Sequence, residues 1–295
     1  MQSLVFSQNV RRLNVDDPKR NQALTEIERS LAKLLKKYSH GWEADVVVDV
    51  RGMVKGGEKD ATHQSEQEQV KLFVELTNDS IKSLVVLSAF KAIDLTDALI
   101  RAANEKGFLI CALANRSLLE LAALLHCFKE ELTPYLKPKK FSADDFEKLQ
   151  KLVVRYAYGG LFDFVKEHSR IESGISSEGK WRRPEEEHLP RFTPMVRRLA
   201  GFAVERGFAK NTLGVEERYA KLSEFAHPTF ASSILYGDSK RVGVFRLRQE
   251  SRKQRAYLLD LTILPAYATL GMIEELLETL ARDYSMFSTV RILEI

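Results

Sequence analysis

Apolar positions recur at helical spacing along most of this chain. Between 18 and 38, Leu24, Ile27, Leu31, Leu34 and Leu35 form one stripe opposite a charged face. Asp17 suits the cap, Pro18 the first helical position and Ser39-His40-Gly41 the stop. Val46-Val47-Val48-Asp49-Val50 is a β-branched run that fits a short strand, and Lys55-Gly56-Gly57-Glu58-Lys59-Asp60 reads as a flexible connection. The expected division is therefore an appendage of helix and linker at 1–62 and a main body at 63–295.

From about 64 to 131 the pattern is helical almost throughout, with Asp94-x-x-Asp97 placed to cap a helix that runs to Gly107. The next helix, about 108–131, is apolar on nearly every side, as at the middle of a bundle, and ends before Pro134. Ser142 caps a helix over 142–168 that Gly159-Gly160 kinks or interrupts. Residues 171–194 read as a long loop, and helices resume at 194–208 and 213–227. Further on, 242–248 and 256–261 flank a polar, basic turn and suggest a β-hairpin over about 241–261. Pro265 then opens a terminal helix. The expected fold is mainly α: a helical bundle with a small C-terminal β-hairpin and an N-terminal helical appendage.

Composition narrows this picture only a little. Among 295 residues, 45 basic side chains face 41 acidic ones, so the net charge of +4 permits an anionic partner without demanding one. The two cysteines, Cys111 and Cys127, would lie roughly 24 Å apart on one helix, beyond disulfide reach. With no secretory leader pattern and no uninterrupted apolar span, the expectation is a cytoplasmic protein without a membrane segment.

Three groups of residues carry chemistry. Arg116 and Glu120 stand four apart on the most buried helix, either as an ion pair that fixes register or as the floor of a polar site. Tyr219, Ser223 and His227 share one helical face, with His227 as a helix-end donor to carbonyls or as a proton-transfer group. Arg246, Arg248, Arg252, Lys253 and Arg255 would decorate the hairpin, as edge protection or as a weak nucleic-acid contact. Glu224-x-x-His227 matches half of a carboxylate-bridged di-iron pattern, but the other match, Glu185-x-x-His188, falls in the loop. No metal and no cofactor is therefore expected.

Asn115-Arg116-Ser117-Leu118-Leu119-Glu120-Leu121 and, a hundred residues on, Tyr219-x-x-x-Ser223-x-x-x-His227-Pro228 together resemble an uncharacterised bacterial family of helical bundles related to the HEPN superfamily. The resemblance covers about 65–235. It implies a bundle in which Arg116, Glu120, Ser223 and His227 converge on one internal site. It also implies RNA or a nucleotide as partner, a place in a toxin–antitoxin-like defence or stress module, and a homodimer. Superfamily ribonucleases carry an arginine followed after four to six residues by a histidine on one helix. Here eight residues separate Arg218 from His227, while Arg183 and His188 flank Pro184 in the loop. Enzyme activity is thus left open, and if present would be metal-independent and ribonuclease-like. The alternative is a non-catalytic interaction protein in which Arg116, Glu120 and His227 are structural.

Overall fold

The computed structural model describes residues 5–12, 18–38, 66–105, 107–136, 143–158, 191–226, 237–241, 244–247 and 252–289. The chain is mainly helical. In order, the elements are α1 (Gln8–Arg12), α2 (Pro18–Tyr38), α3 (Glu66–Asn104), α4 (Phe108–Leu132), α5 (Ala143–Tyr158), α6 (Phe192–Glu205), α7 (Thr212–Ala226), β1 (Gly237–Arg241), β2 (Val244–Leu247) and α8 (Arg252–Thr289).

Three expectations need correction. Asp94 starts no helix: α3 is continuous through it, and Asp97 accepts a hydrogen bond from Arg101 Nε, one turn on. The hairpin over 241–261 is not supported, since its second strand, 256–261, lies inside α8. The strand pairing among the described residues is a short antiparallel ladder between β1 and β2. The run at 256–261 continues into Ile263, Ala266, Leu270, Ile273, Leu277 and Leu280, all buried at helical spacing. Propagation of that long stripe outweighs the local β-like reading. Pro265, for the same reason, sits within α8 instead of opening it.

Two compact units divide the chain. The first comprises Met1–Trp42, Leu87–Cys127 and Arg191–Glu278. In it α2 buries Leu24, Ile27, Leu31 and Leu34, as its stripe dictates. Lys33 Nζ lies 2.8 Å from Glu274 and 2.9 Å from Glu278, tying α2 to α8. Asn104 holds the chain start at both ends of its amide: Oδ1 accepts from Ser7 N at 2.7 Å, and Nδ2 donates to Val5 O at 3.0 Å. Residues 1–42, expected as part of the appendage, share this unit with α4 as far as Cys127 and with α6 and α7.

The second unit comprises Glu43–Val86, Phe128–Pro190 and Thr279–Ile295. There Phe128 packs on Tyr156 with ring centroids 5.3 Å apart, and Tyr156 donates to Glu131 at 2.9 Å. The stretch Leu109–Tyr135 is long and apolar enough to cross a membrane by length and composition alone, and 61% of that apolar window is buried inside the protein. Core helices of water-soluble proteins meet the same test.

Candidate functional site

The site belongs to the first unit and is built where α4 meets α7. Small side chains permit the approach: Ala112 is fully buried against Leu222 and Phe225, with Leu109 beside them. The connection into α7 is locally well specified. Gly207 takes the left-handed conformation (φ 76°) just past α6, where a side chain would be strained. Asn211 Oδ1 then accepts from Gly214 N at 2.9 Å, a cap that satisfies an otherwise free donor of the first turn.

On one side of this interface stand Arg116, Glu120 and Tyr219. Arg116 Nε lies 3.1 Å from Glu120 Oε1, one turn along α4. The separation is that of an ion pair, yet the Nε–H direction misses the oxygen and no hydrogen bond forms there. The guanidinium carbon stands 5.8 Å from the centre of the Tyr219 ring, within cation–aromatic range. Tyr219 OH donates to the same Glu120 Oε1 at 3.1 Å, so α7 is bonded to α4 through the carboxylate. Burial pushes the Tyr219 phenol above its ordinary value. Arg116 opposes that shift and Glu120 reinforces it. The side chains of Arg116 and Glu120 remain 27% and 19% exposed, so solvent reaches the pair.

Ser223 follows one turn after Tyr219, but its hydroxyl donates to the Tyr219 carbonyl at 2.8 Å and is engaged within its own helix. His227 lies outside the described residues, as do Arg248 and the Glu185/His188 pair. Arg246 falls in β2, and Arg252, Lys253 and Arg255 stand at the start of α8 instead of in a hairpin turn. Among the described residues, no three His, Cys, Asp or Glu side chains gather as a metal site. Thus the geometry unites Arg116, Glu120 and Tyr219, with Ser223 adjacent.

The neighbouring positions make a second arrangement that the sequence reading overlooked. Asn115 and Arg218, each one residue before a member of the polar set, line a cavity of about 10 Å³ walled by Leu119, Leu222 and Met272. Such a volume holds about one water. Asn115 is only 1% exposed, and its Nδ2 donates to the Thr262 carbonyl at 3.0 Å. That carbonyl lies in the turn before Pro265, where a proline ring disturbs the helical ladder. Asn115 Oδ1 has no hydrogen-bond partner among the described residues. Burial lowers the Arg218 pKa, while the adjacent Glu217 acts in the opposite direction. Glu217 itself is held by Lys221 at 2.6 Å. The available signal was an amide placed on a helix that is apolar all round.

Cys111 is also in this unit. Its Sγ donates to the Leu99 carbonyl at 3.6 Å, and burial pushes the thiol up to about 12, which makes it inert at neutral pH. No protein-family model, curated protein or solved structure matches the chain.

Proposed function

We propose that this chain is a HEPN-like helical protein that binds RNA or a nucleotide, without cleaving it, in a cytoplasmic defence or stress module, as a homodimer or with a protein partner. The supporting observation is the hydrogen bond from Tyr219 OH to Glu120 Oε1. It joins the two segments that carry the resemblance, on facing helices. Arg116 retains an exposed edge from which a guanidinium can meet phosphate oxygens. Binding is preferred to cleavage because the hydroxyls of Tyr219 and Ser223 are already donated within the protein.

The test is titration of a labelled RNA oligonucleotide with wild type, Arg116→Ala, Arg116→Lys and His227→Ala. Arg116→Ala should weaken binding across sequences and lower the salt slope by about 1, with partial rescue by lysine. RNA left intact in every case is the expected companion result. Absence of saturable binding at low salt defeats the reading, and cleavage that His227→Ala abolishes defeats its non-cleaving part.

A second reading treats the protein as a non-catalytic interaction module in which Arg116, Glu120 and Tyr219 only set helix register. The engaged hydroxyl of Ser223 and the doubly contacted Glu120 favour it. It predicts that Arg116→Ala lowers the melting temperature and changes no ligand affinity.

A further inference from the structure

We infer that the outer face of α6 is a self-complementary contact with a second copy of this chain, in which the two α6 helices cross antiparallel at Gly201. The inference rests on the homodimer clause of the proposed function, and RNA binding does not depend on it. Pro194, Arg197, Arg198, Gly201, Val204 and Glu205 form one exposed stripe, and none of the residues that α6 buries lies on it. Gly201 stands in its middle. Glycine is the poorest helix residue after proline, and nothing within the described protein requires it there: a Cβ would meet no atom within 4 Å. Close approach of another backbone from outside gives that glycine a purpose.

Charge says what that backbone belongs to. Along α6 the ions run in the wrong sense for the helix dipole. Arg191 is the N-cap and makes no side-chain cap bond, no acid stands in the first turn, and no base stands in the last, which Glu205 closes. Arg206, just beyond, is drawn to Glu275 on α8 at 3.2 Å. A helix polarised in this way is complementary to an antiparallel copy of itself. With Gly201 on the two-fold axis, Arg197 of each copy faces Glu205 of the other. Val204, 37% exposed, then lies on the alkyl stem of Arg198. Arg197 is available for this, since its side chain is 68% exposed and its contact with Glu216 is long, at 3.4 Å. Glu205 makes no ion pair among the described residues. A polyanion on the same face would meet both arginines but be repelled by Glu205, so a second copy fits better.

The experiment is sedimentation of the full chain over a concentration series. Two 14-residue helices, each about 21 Å long, make a small contact, so the dimer should dissociate on dilution. Arg197→Glu and Glu205→Arg should each weaken it about tenfold or more, because two ion pairs become two like-charge contacts. The variant carrying both should restore it. Within one helix these positions stand about 12 Å apart, so rescue reports the reciprocal pairing between copies. Gly201→Leu should abolish the dimer while the helical circular dichroism and melting temperature hold, since its side chain has open space in the monomer. A wild type that stays monomeric into the hundred-micromolar range overturns the inference and the homodimer clause together. A dimer that withstands the single charge reversals or Gly201→Leu, or single variants that the double one does not rescue, overturns the inference alone. The charge exchange and Gly201→Leu probe the same contact independently, so one misfolded variant does not shelter the idea.

Discussion

Asn115 and Arg116 are consecutive on α4, and Arg218 and Tyr219 are consecutive on α7, yet the two pairings differ in kind. Arg116 and Tyr219 share one carboxylate, Glu120, so the charges are paired and the Tyr219 donor is met within the protein, although Arg116 Nε makes no hydrogen bond. On the Asn115–Arg218 side an acceptor lacks a donor and a half-buried cation has no ion-pair partner among the described residues. A matched set stabilises the helix pair. A buried acceptor without a donor costs stability.

Leu222 joins the two sides, since it belongs to the Ala112–Phe225 cluster and also walls the cavity. It is 1% exposed, so Leu222→Ala should give the largest loss, about 2–5 kcal/mol, read from urea unfolding. A loss under about 1 kcal/mol would mean that the contact between α4 and α7 is not a packed interface. Asn115→Leu comes next, at about 1–3 kcal/mol, because the Thr262 carbonyl near Pro265 loses its donor. Should this variant prove more stable than wild type, the buried amide is the costlier element and its hydrogen bond is weak. Tyr219→Phe keeps the ring beside Arg116 and deletes the bond to Glu120, for a loss of about 0.5–1.5 kcal/mol. A double-mutant cycle with Glu120→Gln isolates that term, and zero coupling would dissolve the matched set.

How much of this was legible in the sequence depends on whether a signal was periodic or pairwise. The stripe Leu24, Ile27, Leu31, Leu34 gave α2, and the all-round apolar pattern gave α4, because burial imposes a period. Arg116 with Glu120 was readable from a spacing of four, and Tyr219 as a partner from the paired segments. Pro265 misled because proline signals are local, whereas α8 is held by buried residues from Ile263 to Leu280. Asp94 misled similarly: a capping residue has no force where the flanking turns are already packed on both sides, as Ala92 and Thr96 are. The Asn115–Arg218 cavity was invisible because it depends on α8 passing nearby, and no spacing within α4 or α7 encodes the approach of a third helix.

The gentlest way to separate the matched set from its surroundings is alkaline titration, which leaves the protein untouched at neutral pH. Burial raises the Tyr219 and Tyr38 phenols above 10.0, and the Cys111 thiol rises from 9.0 to about 12. In each case the folded protein keeps its proton to higher pH than the unfolded chain. Between the two pKa values the native state therefore binds more protons, and stability falls as pH rises. These contributions are intact below about pH 9, and the thiol's share is lost progressively up to about pH 12. Urea midpoints measured across that window should decline. Cys111→Ala should remove the part that begins near pH 9, and Tyr219→Phe the part that begins near pH 10. The tyrosine share should be the smaller, because Arg116 favours the phenolate and offsets burial, whereas for Cys111 burial outweighs the backbone hydrogen bond that opposes it and carries the thiol up to about 12. If Tyr219→Phe flattens the decline more than Cys111→Ala does, Arg116 is not close enough to the phenol in solution to stabilise its charge. The contrast between the two sides of α7 would then lose its electrostatic basis.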